Sequence, residues 1–450
     1  MKIQIPRDVA FILSELNNAG HEAYAVGGCV RDSILGRAPS DWDITTSAKP
    51  EEVKQVFRRT IDTGIQHGTV TVMLKSRGYE VTTYRIDGEY TDHRRPDDVT
   101  FTGELSEDLK RRDFTINAMA YNDEHGLVDL FGGTEDLEKG IIRCVGDPDE
   151  RFDEDALRIM RAVRFAAQLD FVIDEATRNA AAKHAEDLRQ VSAERIETEL
   201  TKLIMSDHPE KLMDMYELGI TKIILPEFDL MIDTKQNTPY HLYDVGRHTI
   251  EVMKNVSPTK VMRYTALLHD TGKPYCKTTD EANIDHFKGH AFKSEKIAEK
   301  VLKRLRMDNK TINDVKTLVL WHDFGIGGPL SKKGVRKMLS KMGEEYFDQY
   351  LEIKYADIAG QSDYRLSQRK KVVEDTVRYH DEIVAEGDAL SIKELQINGK
   401  DLMNMGIKPG PEMGKILYEL MEKVLEKPEL NKKELLAAEV ADKYLKMKGR

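Results

Sequence analysis

The stretch GGCVRDSILGRAPSDWDITTS, residues 27–47, decides how this chain is read. It sets two aspartates in the pattern Asp-x-Asp, Asp41 and Asp43, after a Gly-Gly pair and before a run of Ile, Thr and Ser. The run WDITTS reads as a strand, because β-branched residues crowd it. Alternate strand residues point the same way and each rises about 3.3 Å, so the spacing predicts two carboxylates on one face, about 6.6 Å apart. Carboxylates so placed can hold hard cations. Mg²⁺ suits them, since it takes oxygen ligands and keeps positions open for phosphates. Two such ions, about 3.5–4 Å apart, can activate an attacking hydroxyl and stabilise a departing pyrophosphate. Glu80, in GYEVTTYR, is the best candidate for a third carboxylate from a neighbouring strand. The bare backbone of Gly27 and Gly28 can approach a triphosphate closely, and Arg31 can pair with it. Gly-Gly alone, or Asp-x-Asp alone, usually marks a turn or a strand end. Their combination near the head of a β-rich segment is far more specific.

Working outward, HEAYAVGG reads as a strand, and GTVTVMLKSRGYEVTTYRI as two strands around a turn at Ser76–Gly78. KPEEVKQVF and LSEDLKRRDFTINAMAY read as helices, the first opened by Pro50 and two glutamates. From Asp149 onward β-signals nearly vanish. RFDEDALRIMRAVRFAAQL, DEATRNAAAKHAEDL and SAERIETELTKLIM read as helices, and helical patterns continue from there, with a Pro-rich turn at 408–414. The predicted fold is an α/β head with a mixed sheet, followed by an all-α remainder. No internal repeat or low-complexity segment interrupts it.

At 450 residues the chain is too long for one core. Hydrophobic content of 40% and charged content of 33% suit a soluble, folded protein. MKIQIPRDVAFILSELNNAG reads as an amphipathic helix without the features of a signal peptide. No run of about 18 apolar residues predicts a membrane span. Three scattered cysteines, Cys29, Cys144 and Cys276, fit a reducing cytoplasm. The net charge of −11 argues against nucleic-acid binding over the whole surface. Basic runs do occur at 331–342, with five positive charges, and at 293–307, with six against two acids. Each reads first as a solvated helix face.

VGGCVRDSILGRAPSDWDITT resembles the signature of the nucleotidyltransferase superfamily that includes DNA polymerase β. More narrowly it is similar to the class II tRNA nucleotidyltransferases, which add CCA to tRNA 3′ ends, and to bacterial poly(A) polymerases. LKRRDFTINAMAY, RFDEDALRIMRAVRFAA and SAERIETEL resemble the family's next blocks, in the family's order, across about 200 residues. The resemblance implies a polymerase β-like catalytic head at 1–147, a helical nucleotide-reading neck at 148–225, an HD domain at 226–372 and a helical, tRNA-binding tail at 373–450. It also implies tRNA, CTP and ATP as partners, with no obligatory protein partner evident.

The third block has a physical logic. On a helix, Asp155 and Arg158 are three apart, and Arg158, Arg161 and Arg164 step by three again, which predicts one stripe. A carboxylate accepts from an exocyclic amino group and a guanidinium donates to a ring acceptor. Cytosine and adenine both offer an amino donor beside a ring acceptor, whereas uracil and guanine reverse that pattern. One Asp–Arg pair can therefore accept C and A without a template strand, where an isolated pair would be only a surface salt bridge. The resemblance assigns this role to Asp155 and Arg158. It gives Gly28, Arg31, Arg112, Arg161 and Arg164 to the nucleotide, chiefly its phosphates, and makes Asp113 and Asn117 ribose or scaffold residues. The segment DGEYTDHRRPDDVTFTGELSEDL, 87–109, reads as a polar loop. In the family such a loop accompanies the switch from C to A addition, so its presence favours full CCA addition over CC-only, A-only or poly(A) products.

LLHDTGKP, 267–274, ends an apolar helix with a His-Asp pair. With His248, His269, Asp270 and Asp357 it resembles the HD-domain phosphohydrolases, whose His…His-Asp…Asp ligands bind a divalent metal that can activate water. That implies a divalent ion of unassigned identity here, with His290 and His322 as candidates for a second. Two further readings stand beside the transferase: a metal-dependent phosphohydrolase whose head only binds nucleotide, and a non-catalytic RNA-binding protein.

Overall fold

The computed structural model describes residues 2–88, 99–325 and 330–445. The chain divides into two compact units, residues 1–229 with 304–307, and residues 230–303 with 308–450.

The first unit opens with α1 (Arg7–Asn18), which turns Val9, Ile12, Leu13 and Leu16 inward at helical spacing. There follow β1 (Ala23–Val26), α2 (Gly28–Ile34), β2 (Asp43–Thr46), α3 (Pro50–Val56), β3 (Thr60–Gly64), β4 (Thr69–Leu74) and β5 (Arg77–Thr83). A ribbon of β6 (Arg85–Asp87) and β7 (Val99–Phe101) leads to α4 (Leu105–Lys110), then β8 (Met119–Asn122), β9 (Gly126–Asp129), α5 (Gly133–Lys139) and β10 (Ile141–Ile142). Seven strands form one mixed sheet in the order β3-β4-β5-β2-β1-β8-β9. β2 lies in its middle, antiparallel to β1 and parallel to β5. The register Ile44–Val81 brings Glu80 level with Asp43 on the neighbouring strand. Tyr24, Val26, Tyr84, Leu109 and Ala120 pack into a buried cluster beside these strands.

Two expected helices are broken, for one physical reason. LSEDLKRRDFTINAMAY does not run as a helix, since α4 stops at Lys110 and Met119–Asn122 becomes strand β8. Between them Asp113 Oδ1 accepts from the Phe114 amide at 2.9 Å and from Asn117 Nδ2 at 3.1 Å. RFDEDALRIMRAVRFAAQL splits into α6 (Pro148–Glu154) and α7 (Leu157–Leu169). Asp155 stands between them in extended backbone, φ −145° and ψ 101°, with Oδ1 accepting from the Leu157 amide at 3.1 Å. In both places a short acidic side chain offers the backbone a partner that competes with the helical ladder. The continuous stripe from Asp155 to Arg164 is therefore corrected: the three arginines share α7, and Asp155 precedes it. The unit continues with β11 (Val172–Ile173), paired parallel to β10, then α8 (Glu175–Lys183) and α9 (Ala193–Ile204).

The second unit is helical apart from the two-residue strands Thr278–Thr279 and Asp285–His286 among its described residues. Its metal-type side chains come from the helices Val245–Lys254, His290–Arg304 and Phe347–Ala359 and from the ends of Lys260–Leu268 and Asn309–Trp321. The basic run 331–342 forms a helix whose charges are largely paired: Arg336 with Asp388 at 2.8 Å, Lys332 with Glu386 at 2.6 Å, Lys333 with Glu426 at 2.8 Å. The lysines fit the solvated-face reading, whereas Arg336 is buried and also donates to the Leu425 carbonyl at 3.0 Å. Of the polar loop expected at 87–109, residues 89–98 lie outside the described residues, and the rest supplies β7 and the start of α4. Among the described residues no helix is long and apolar enough to cross a membrane.

Candidate functional site

The first site is built where β1 turns into α2. Gly27 adopts φ +80°, a region glycine enters without steric penalty. A Cβ there would lie 2.9 Å from Arg112 Nη1, so only a bare Cα lets this guanidinium lodge against the turn. Arg112 is anchored from behind by Asp108, a fully buried carboxylate that also receives Arg111 at 2.7 Å and Thr45 Oγ1 at 3.0 Å. Burial opposes ionisation of Asp108, but Arg111 and Arg112 outweigh it and hold its pKa below the usual range.

Asp43, the first residue of β2, is exposed at the strand's entry, and Asp41 lies two residues earlier, outside the strand. Partial desolvation of the Asp43 carboxylate raises its pKa, Arg112 opposes the shift and the charge of Asp41 adds to it. Buried Trp42 between the two exposed acids preserves the alternation that puts both on one side. An open pair of carboxylates repelling each other, with Glu80 level on the next strand, is a donor set that fits a hard divalent cation such as Mg²⁺.

A network of charge joins this pocket to α7. Arg31 donates to Asn117 Oδ1 at 2.7 Å, Asn117 donates to Asp113, and Arg161 Nε donates to Asp113 Oδ2 at 2.7 Å. Burial opposes the Asp113 charge, yet Arg161, Asn117 and Arg158 bring its pKa down to about 2. Phe165 lies beneath three guanidinia, those of Arg31, Arg161 and Arg164, at 5.0, 5.4 and 3.8 Å from its ring centre. Asp155 Oδ2 accepts from Arg195 of α9 at 2.7 Å, while Arg158 pairs with Glu154 at 2.5 Å and donates to the carbonyls of Arg151 and Arg111. Arg164 is 6% exposed, pairs with buried Glu199 of α9 at 2.5 Å and donates to Gln168 at 2.7 Å, while its guanidinium shares the Phe165 ring with those of Arg31 and Arg161. Gly28 begins α2, where a Cβ would meet Arg31 Nη2 at 3.6 Å.

The second unit gathers a separate cluster. His248, His269 and Asp357 offer ligand atoms within 4.8 Å of one another, and so do Asp270, His290 and His322, all six buried. Gly272 makes this approach possible, since a Cβ there would lie 2.4 Å from the His290 carbonyl oxygen. Lys273, also buried, reaches Asp270 at 2.7 Å and Gln236 at 2.8 Å. Asp357 accepts from Gln361 at 2.9 Å. Burial lowers the His269 pKa, but Asp270 and Asp357 outweigh it and leave it raised, while Asp270 and Asp357 lie well below the usual carboxylate range. The expected ligands His248, His269, Asp270 and Asp357 are thus brought together, and the donors fit a divalent ion.

Sequence reasoning passed over Asp108, Glu154, Phe165, Arg195, Glu199 and Lys273. Each stands within one or two blocks already singled out, but at positions where a helical pattern reads as ordinary core or surface.

Residues 23–143 match the family model of the poly(A) polymerase head domain, 170–231 that of an RNA- and SrmB-binding site of polymerase A, and 281–440 that of tRNA nucleotidyltransferase domain 2. The chain is 38% identical over 436 residues to the CCA-adding enzyme of Levilactobacillus brevis, covering 96% of each. It is similar to the crystal structure of the Bacillus stearothermophilus CCA-adding enzyme in complex with CTP, with a TM-score of 0.71, 28% identity, and 99% and 100% of the two chains covered. The Thermotoga maritima CCA-adding enzyme complexed with tRNA gives a TM-score of 0.58 at 21% identity, over 98% and 100% of the chains, and shares the fold.

Asp113 supplies a pH-dependent prediction. A carboxylate held at about 2, against 3.8 for the free group, contributes stability that is present above pH 4 and is lost as pH falls towards 2. Asp113→Asn is expected to lower stability at pH 7 by about 1–3 kcal/mol and to flatten the fall in that acid window. Urea unfolding across a pH series measures both, and an unchanged acid limb would show that Asp113 is not so held.

Proposed function

The chain belongs to the CCA-adding enzymes, and from this we propose how its own residues carry that chemistry. It builds the C-C-A end of tRNA from CTP and ATP, releasing pyrophosphate. The terminal 3′-hydroxyl of the RNA attacks the α-phosphate, a new P–O bond forms, and the bond to pyrophosphate breaks. Asp41 and Asp43, with Glu80 assisting, would hold Mg²⁺ ions, which would lower the pKa of the attacking hydroxyl and neutralise charge on the leaving group. Gly27 and Gly28 let the triphosphate approach the backbone, and Arg31, Arg112 and Arg161 meet its oxygens. Asp155 accepts from the exocyclic amino group of C or A, and Arg158 donates to the ring nitrogen beside it. Arg195 and Glu154 position these two groups.

The observation that carries this reading is Arg112: pinned by buried Asp108, lodged against the bare Cα of Gly27 and within electrostatic reach of Asp43. We also propose the boundaries at 147, 225 and 372, although residues 226–229 and 304–307 group with the first compact unit, and three free cysteines support a reducing cytoplasm.

A second reading is favoured by the buried cluster of the second unit. We infer that His248, His269, Asp270 and Asp357 form an HD-type centre for one divalent ion, which would supply Lewis acidity for hydrolysis of a phosphoester. Water would add to phosphorus, the ester P–O bond would break, and the proton would pass to the departing oxygen. Lys273 orients the Asp270 carboxylate.

Asp43→Ala is expected to reduce stepwise addition to a tRNA transcript ending at its discriminator base by at least about a thousandfold, with tRNA affinity near wild type. Addition at wild-type rate would remove Asp43 from the metal site. Arg158→Ala is expected to raise UTP and GTP incorporation relative to CTP and ATP by about 10–100-fold. Unchanged exclusion would refute the side-chain template. Asp270→Ala should leave addition intact and abolish metal-dependent release of p-nitrophenol from its phosphate esters; retained release would place that activity elsewhere.

A further inference from the structure

We propose that the open face of β5, β4 and β3 holds the 3′-terminal nucleotide of the RNA, with Arg59 on the phosphodiester behind it and Ile61 and Met73 against its unpaired base. The proposal rests on the reading of Asp41 and Asp43 as the metal site and deepens it.

The direction follows from the order of the strands. β2, which carries Asp43, has β1 on one side and β5 on the other. On the β1 side stand Gly27, Arg112 and, through Asn117, Arg31, the groups read above as meeting the triphosphate. Displacement at phosphorus is in line, so the attacking hydroxyl enters from the side opposite the departing pyrophosphate. That side lies beyond β2, over β5, β4 and β3.

The register shows which side chains wait there. Glu80 of β5 is level with Asp43, Thr71 of β4 pairs with Glu80, and Ile61 of β3 pairs with Thr71. One row therefore runs from the catalytic carboxylate across three more strands on a single face. Ile44, Val70, Val72 and Val81, which alternate with this row, are buried, so the row looks away from the core. Glu80 is exposed, and Ile61 is 51% exposed.

One row nearer the strand ends, Gly78 pairs with Met73, and the Met73 amide donates to the Arg59 carbonyl at 2.9 Å. A Cβ on Gly78 would lie 2.8 Å from Thr71 Cγ2 and 3.3 Å from Met73 Sδ. With no side chain there, Thr71 and Met73 close over β5, and the floor between Asp41 and Arg59 stays low. Strands about 4.8 Å apart put Arg59 about 14 Å across the sheet from Asp41. At that distance it serves the RNA strand behind the terminal ribose. Arg59 is exposed, and no carboxylate pairs with it among the described residues. Asp62, the acid of β3, is paired with Lys54 at 3.2 Å. A cation beside an open apolar floor suits a single strand, whose phosphate takes the charge and whose unstacked base takes the apolar contact.

Arg59 is a positioning residue, so its test separates RNA binding from chemistry. Steady-state addition of C to a tRNA transcript ending at its discriminator base is measured against RNA and against CTP. Arg59→Ala is expected to raise KM for the RNA about tenfold, with KM for CTP and kcat at saturating RNA within about twofold of wild type. The fall of log kcat/KM with log salt should become shallower by about 0.7, one single-strand phosphate contact, and Arg59→Lys should restore it. Ile61→Glu, which places an anion on the strip, should raise the same KM. A transcript ending in 4-thiouridine, irradiated on the wild-type chain, should cross-link to residues 59–63 or 71–80, and should do so on Asp43→Ala as well. An unchanged KM and salt slope in Arg59→Ala, or cross-links only outside those strands, would overturn the subsite while leaving the metal reading intact. Addition at wild-type rate by Asp43→Ala would overturn the metal reading whatever Arg59 does. The cross-link is read on the unaltered chain, so misfolding of a variant cannot mask the outcome.

Discussion

The carboxylate of Asp113 is the interaction on which the first unit depends. It is buried and stays ionised because Arg161 and Asn117 surround it. Asn117 in turn holds Arg31, and the rings of charge close over Phe165. One anion therefore ties the turn after β1, the segment before β8 and the helix α7 into a single frame. A buried charge pair adds little net stability over an apolar pair, but leaving one partner alone is strongly unfavourable. Such a network fixes geometry more than it lowers free energy, and geometry is what a nucleotide pocket without a template strand requires.

The same device recurs at each functional group. Asp108 pins Arg112, Glu154 pins Arg158, Arg195 pins Asp155, and four backbone carbonyls pin four histidines. In every case the group expected to meet a ligand is held by a protein partner. Preorganised groups avoid the cost of reorienting as the reaction proceeds.

The strands around Asp43 and Glu80 were legible because β-branched runs leave a period-two signature, but the turn expected at Ser76–Gly78 falls at Lys75–Ser76, with Arg77 and Gly78 already in β5. The switch to helices after Asp149 was legible for the same kind of reason. The breaks at Asp113 and Asp155 were not, since periodicity counts apolar positions and is blind to a short acid capturing a nearby amide. Asp155 was thus named for the right block on a helix it does not belong to. Arg164 and Phe165 show a further limit: a stripe says which residues share a face, but not which neighbour that face meets. Buried Glu199 pairs with Arg164, and buried Phe165 lies under three guanidinia. In the second unit, HD at the end of an apolar helix announced itself. His290 and His322, offered together from the resemblance, are brought together with Asp270 by the start of the helix His290–Arg304 and the end of Asn309–Trp321.

The central claim is that a metal-bound triphosphate sits over Asp41 and Asp43 while Asp155 and Arg158 read its base. A crystal soaked with Mg²⁺ and a nonhydrolysable CTP analogue tests it most directly. The account predicts cations against both aspartates, phosphates beside Gly27 and Arg112, and the amino edge of cytosine on Asp155 and Arg158. A ligand bound elsewhere, with those carboxylates free of metal, would contradict it.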